Sequence, residues 1–474
     1  MTKTFLQDAD LVPEEFAKRI PSDFTVGVST SAFQIAGAVS EGGRTRSTWD
    51  TFMAQPGRIS DKSTATVAAD HYHRYREDVD LIQKLGVDSY RLSVSWPRVQ
   101  PGGKGAVNQE GIDFYDKLLD ALLQAGVRPM VTIYHWETPE ELQEQGGWLN
   151  RETAKRLGDF AEILGKAFGD RVDKWVTINE PTTVTLNGYG LGIHAPGEEL
   201  LFDALPAAHN QLLGHGLAVQ ALRGVGVKGG IGITNVHSPV VPARGKFLDK
   251  YFATVFDLVH NRIFADPVLL GRYPKAPFGA GRVLKSLDDL DPDDLKIIHQ
   301  PLDFYGMNYY MPTRIKAGSP KIGTTPDGET ETIKQVPFSL EPFPEFAKTG
   351  FGWPVAPEYL AVALGDMAER YGDAMPPIYI TEGGVSYPDA RAASGHFHDE
   401  RRIDYLAEHI AIVLNGAPGI DVKGYFVWSL IDNWEWSAGF SQRFGLVHVD
   451  FDSLERTPKD SYRWLQGVLA SRKR

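Results

Sequence analysis

Two glutamates stand where a chain rarely leaves an anion. In "TINEP" (177–181) and in "ITEGG" (380–384), a short β-branched run ends in a carboxylate, Glu180 and Glu382. A strand that terminates this way puts an acid at the mouth of whatever the strands enclose. Two carboxyls across a pocket can cleave a glycosidic bond. One, kept protonated, gives its proton to the leaving oxygen; the other, ionised, attacks the anomeric carbon or activates a water. A gap of about 5–5.5 Å between them goes with direct attack and about 6.5–9.5 Å with an intervening water. Spacing along the chain does not measure that gap, and two unrelated strand-end acids remain the alternative reading.

Positioning both acids takes a frame of parallel strands. Strand-like runs occur at 24–29, 89–96, 129–134, 174–178, 230–236, 302–308, 378–381 and 424–429, with amphipathic segments between them. Among the latter, 77–86 and 113–126 repeat apolar residues every three or four positions, and Gly86 and Gly126 fall where a helix C-terminus favours a left-handed residue. Eight such units predict a single (β/α)8 barrel across residues 1–474, with long loops such as 44–66 and 316–350 on its C-terminal face. A doubly wound sheet is the alternative, but no Gly-x-Gly-x-x-Gly follows the first strand. Polar or aromatic residues follow nearly every run: Gln34, His135, Asn179, Glu180, Asn308, Tyr310, Glu382 and Trp428. Each alone reads as a loop group meeting water. In a barrel they converge on one mouth.

Composition narrows the remaining classes. The 474 residues carry a formal charge of −12, which disfavours nucleic acid and anionic membrane surfaces as partners. There are no cysteines, so disulfides and thiolate chemistry are excluded. The first twenty residues lack a secretory apolar core and no run is long enough to span a bilayer, so a soluble, cytoplasmic protein is expected. His71 and His73 lie two apart and would leave a helix on different faces, so they read as structural. No metal and no cofactor are expected; a homo-oligomer is compatible with the sequence.

Many motifs in order carry a resemblance to glycoside hydrolase family 1, the β-glucosidase family, over essentially the full length. They are "TSAFQIAG" (30–37), "DHYHRYREDV" (70–79), "YRLSVSWPR" (90–98), "YHW" (134–136), "GGW" (146–148), "TINEP", "HAPG" (194–197), "DFYGMNYY" (303–310), "YITEGG" and "GYFVWSLIDNWEW" (424–436). The resemblance implies a retaining exo-β-glycosidase acting on small β-glycosides or short oligosaccharides, β-glucosides first, with β-galactosidase or β-fucosidase side activity. A transglycosylase using the same intermediate, or an inactive sugar-binding relative, are the other readings. It makes Glu180 the acid/base and Glu382 the nucleophile, with Arg91 and Tyr310 supporting the nucleophile. Asn179 is implied at the sugar 2-hydroxyl, with Gln34, His135, Glu435 and Trp436 at the other hydroxyls and Trp428 beneath the ring. Taken alone, the tryptophans would read as core aromatics.

The resemblance also separates branches. Members acting on 6-phosphorylated sugars carry a small hydroxyl residue at the Glu435 position, with Lys and Tyr seven and nine positions later; this chain has Glu435, Gln442 and Phe444. Thioglucosidases carry Gln at the Glu180 position. Departures are Ala36 for Glu, Glu137-Thr138 for Asp-Leu, Thr182 for Trp, Pro354 for Glu, and Gly383 for Asn. Thr182 and Trp353 are implied on the leaving-group side, and Thr182 and Pro354 lie in segments that border it, so altered aglycone preference with an intact glucose pocket is expected. Asn and Gly share tolerance of positive φ, so Gly383 is expected to adopt it.

Overall fold

The computed structural model describes residues 6–318, 336–389, 391–393 and 395–472; the 319–335 part of the loop expected at 316–350 lies outside them. Eight parallel strands close into a ring in chain order. They are Thr25–Ser29, Ser89–Ser93, Arg128–Tyr134, Lys174–Asn179, Gly230–Val236, Phe304–Asn308, Ile378–Gly383 and Val422–Trp428, the first to eighth strands below. The second stops short of the run expected to 96. Pro97 has no N–H for a ladder, and Trp96–Val99 turns into a short helix instead, stacking Trp96 on Phe160 at 5.1 Å.

Inside the ring, Met130, Val176, Phe304 and Phe426 pack together against Tyr379, so the barrel is plugged rather than open. The plug needs bare backbone opposite it: a Cβ on Gly27 would lie 2.4 Å from the Phe426 ring. Toward the C-terminal ends the interior turns polar, through Arg91, Thr132, Thr234, Asn308 and Thr381. A packed floor under a polar upper layer restricts chemistry to one end.

The surrounding helices follow the apolar spacing. Gln109–Gln124 buries Phe114, Tyr115, Leu118, Leu119 and Leu122. His71–Leu85 buries Val79, Ile82 and Leu85 and ends at Gly86 with φ 83°. Gly126 has φ 76°. The loops on the C-terminal side are built rather than slack: Thr48–Met53 is helical. Val240–Pro242, Thr313–Ala317 and Phe338–Leu340 form a small sheet, and Val447–Val449 pairs with Arg456–Pro458. Among the described residues, no helix is long and apolar enough to cross a membrane.

Candidate active site

Both acidic strands lose regular pairing as they reach their carboxylates. The fourth shifts register against the fifth between Val176 and Asn179. The seventh shifts against the sixth between Ile380 and Glu382. Such irregularities re-aim side chains that a regular pleat would alternate. Glu180 itself sits at φ 46°, a conformation a non-glycine residue adopts only when its surroundings hold it, and Pro181 then starts the next helical turn.

The two carboxyls line one cavity of about 320 Å³, but their partners differ in kind. Glu382 is ion-paired with Arg91 through Nη1 and accepts a hydrogen bond from Tyr310 Oη at 2.8 Å. Among the described residues Glu180 accepts only from neutral donors, Asn308 Nδ2 at 2.6 Å and Thr183 Oγ1 at 2.7 Å. Burial and then the charge of Glu382 push its pKa up to about 7. Burial and Glu382 likewise push the Tyr310 phenol well above its usual range, so it stays a donor.

A continuous set of bonds joins the two acids. Arg91 donates Nη2 to Asn179 Oδ1 at 2.7 Å and Nε to Thr132 at 3.2 Å. Asn308 Nδ2 also reaches Asn179 Oδ1, at 3.2 Å. With its oxygen facing two donors, Asn179 must present its amide to His135 Nε2, 3.1 Å away. His135 Nε2 is therefore the acceptor and Nδ1 carries the proton, assigned from the network. That Nδ1 is buried and has no partner among the described residues, on a ring that lines the cavity. Burial, then Arg91, hold the imidazole pKa well below its usual value, so it is neutral. An unpaired buried donor of this kind fits a ligand hydroxyl.

Trp428, Glu435 and Trp436 also line the cavity. Burial and Glu382 push Glu435 up to about 8. Gln34 does not line it. Its Nε2 reaches Asn433 Oδ1, the Trp434 carbonyl and Glu435 at 2.9–3.1 Å, and its Oε1 accepts from Ser31, so it braces the Glu435 loop from behind. Asn179 and Arg91 likewise stand one layer below the surface.

The profile of Glycosyl hydrolase family 1 matches residues 16–474. The chain belongs to glycosyl hydrolase family 1. It is 41% identical to Beta-glucosidase A of Acetivibrio thermocellus, over 95% of this chain and 98% of that one. To the Bifunctional beta-D-glucosidase/beta-D-fucosidase of Bifidobacterium breve it is 40% identical, over 95% and 98%. The crystal structure of the psychrophilic beta-glucosidase of Micrococcus antarcticus superposes with a TM-score of 0.90 at 41% identity, covering 97% and 99% of the two chains. The protein is thus a glycoside hydrolase on a family 1 barrel.

Three expectations about this family 1 chain need correction or refinement. Thr182 is buried, bonds the His260 carbonyl at 3.2 Å, and does not line the cavity; Thr183 and His260 do. A residue just inside a helical turn points toward the core, and its neighbour takes the wall. Trp353 does line the cavity, stacked on Phe351 at 4.5 Å, whereas Pro354 does not. Gly383 is not at positive φ. It ends the seventh strand, paired with Val427, and a Cβ there would meet Tyr425 Oη at 2.2 Å; one on Gly384 would meet the Trp428 carbonyl at 1.7 Å. Close packing against the eighth strand, rather than a left-handed turn, demands both glycines.

The two histidines read as structural do part company. His71 pairs with Asp78, and His73 with Asp70 and Glu41. Asp389, Asp432 and His448 approach one another as metal ligands would, but Lys459 bonds both carboxylates and Arg402 and Arg443 add further positive charge. The cations occupy that site. Glu137 is buried between Ser95 and Arg44 and sits apart from the cavity. Sequence reasoning placed Asn308 at a strand tip without a role and passed over Thr183; the Asn308 side chain two residues before Tyr310 was the signal available.

Proposed function

We propose that this glycoside hydrolase is a retaining exo-β-glucosidase working by double displacement. One observation carries the reading: two carboxyls share a cavity, one against a guanidinium and a phenol, the other among neutral donors with its pKa near 7. That divides attacker from proton donor. Glu382 attacks the anomeric carbon while Glu180 passes its proton to the glycosidic oxygen; the C–O bond to the leaving group breaks and the leaving group departs as an alcohol. The resulting ester neutralises Glu382. The charge that held Glu180's proton is then gone, its pKa falls, and it takes a proton from the water that attacks the same carbon, breaking the ester bond and releasing Glu382 as a carboxylate. Two inversions give net retention.

The glucosyl preference is supported by the relatives named as β-glucosidases and by the cavity's polar set. His135 offers Nδ1–H, Glu435 offers a carboxyl, and Trp428 offers an indole face for the ring's C–H bonds. Among the described residues no lysine or arginine lines the cavity, which supports an unphosphorylated sugar. Proton NMR of the first-formed sugar from an aryl β-glucoside tests the mechanism. The β-anomer is expected first; initial release of the α-anomer would overturn retention.

A further inference from the structure

The cavity that holds the two carboxyls is also lined by residues outside the motifs, among them Asn187, His260 and Phe351. Two π-helical turns border it, Val184–Gly190 and Leu258–Arg262, and each contributes a polar side chain, Asn187 and His260. Turns of this kind are uncommon and concentrate at functional sites. Another sector of the wall is aromatic: Phe351 lies on Trp353 at 4.5 Å, with Phe444 6.0 Å from Phe351.

His260 is held in one orientation and one tautomer. Its ring stacks on Phe256 at 5.4 Å and 17°. Asn261 gives its amide hydrogens to Asp257 at 2.8 Å and to the Ser238 carbonyl at 2.9 Å, both acceptors. Its oxygen must then face the two remaining groups, the Ser238 N–H at 3.2 Å and His260 Nδ1 at 2.9 Å. So Nδ1 carries the proton and donates it, and Nε2 is bare. Nε2 has no partner among the described residues, and the ring lines the cavity. Burial lowers the pKa of the ring, which keeps it neutral.

We propose that His260 is a specificity residue of the leaving-group half of the cavity, its bare Nε2 accepting a hydrogen bond from a hydroxyl of a sugar leaving group. The aromatic pair Phe351 and Trp353 supplies the face on which such a ring lies, and His260 reads its edge. Alkyl or aryl leaving groups without a hydroxyl leave this acceptor unpaired, and a site built around a hydrogen bond discriminates against partners that lack it. The inference rests on the proposed β-glucosidase reaction and names the leaving group it favours, that of a β-linked disaccharide or short oligosaccharide.

The test compares a glucosyl-β-glucose disaccharide, its derivatives lacking one hydroxyl in the leaving sugar, and 4-nitrophenyl β-glucoside. In the unmodified enzyme, at least one deoxy derivative is expected to lose about tenfold in kcat/KM. His260→Phe is expected to lower the ratio of disaccharide to aryl kcat/KM by about tenfold and to erase that deoxy discrimination; His260→Gln, whose amide oxygen accepts, recovers part of the ratio. A His260→Phe ratio within about twofold of the unmodified enzyme overturns the assignment. If that variant does not fold, the unmodified enzyme decides: deoxy derivatives all within about twofold of the parent overturn it equally. Turnover of the aryl glucoside with an unchanged ratio sinks the His260 assignment alone. No turnover of any β-glucoside sinks the proposed function and the assignment with it.

Discussion

The tips of the fourth and seventh strands hold the same side chain and make different acids of it. At the fourth, Glu180 sits at φ 46° and accepts from an amide and a hydroxyl. At the seventh, Glu382 remains in the strand, against Arg91 and Tyr310, with two glycines behind it pressed onto the eighth strand. Neither propensity nor residue type separates them. What separates them is that Arg91, reaching across the barrel from the second strand, pairs with the carboxylate of Glu382 and not with that of Glu180. Arg91 also touches Asn179, and Asn308 touches both Asn179 and Glu180, so the two environments are braced by one network and not by two.

Removing each carboxyl in turn probes the contrast most severely. Glu382→Gly is expected to lose at least about 10⁴-fold in kcat, because the covalent route disappears. Azide, small enough for the vacated space, should restore turnover and give the α-glycosyl azide by single inversion. A variant that keeps full activity would move the nucleophile elsewhere. Glu180→Gln is expected to cost about 10²–10⁴-fold, the worth of a general acid. The loss should be greatest for poor leaving groups and mild for nitrophenol, which needs little protonation. Equal losses on both would mean that Glu180 is not the proton donor.

pH reads the same contrast more gently. With Glu180 raised to about 7, the alkaline limb of kcat/KM should fall near that pH, and Glu180→Gln should abolish the limb. Stability carries the linked signature. Glu180 and Glu435 hold protons in the folded state up to about 7 and 8, whereas the unfolded chain releases them near 4.5. The native state therefore binds more protons between those values, and its stability falls as pH rises through that window. Glu435→Gln should flatten the fall, by a few kcal/mol at most, since each tenfold change in proton affinity is worth about 1.4 kcal/mol. Thermal melting across pH 5 to about 9 measures it, and a parallel fall in the variant would refute the assignment.

The smallest effects lie in the exits from the seventh strand. Gly383→Ala should cost about 1–3 kcal/mol, since its new methyl meets the tip of Tyr425, and Tyr425→Phe should recover part. Gly384→Ala meets a backbone carbonyl that cannot turn aside and should cost more, with no rescue from Tyr425→Phe. Chemical denaturation of the unmodified protein, the three single variants and the two double variants ranks them; equal costs at the two glycines would remove the packing explanation.

The amount legible in the sequence follows the range of the forces involved. Strand runs, helix faces and the glycines after two helices are local, and the eight strands formed where their β-branched and aromatic residues predicted. Pro97 shortened the second strand for a reason equally local. Motifs reported the two glutamates, Arg91, Tyr310 and His135. They did not report that Gln34 braces a loop from behind, or that Thr183 rather than Thr182 faces the cavity, because a helical turn decides which neighbour points outward. Gly383 was misjudged for a related reason: a glycine demanded by close approach looks the same in sequence as one demanded by positive φ.

The sequence by itself determined an eight-unit α/β barrel and two carboxyls at the ends of its fourth and seventh strands. Tertiary structure alone decided that one of those carboxyls holds a proton near pH 7 and the other faces a guanidinium. It also decided which nitrogens of His135 and His260 are bare. Protonation states depend on burial and on the charges of side chains remote along the chain, and those quantities do not exist until the chain has closed on itself.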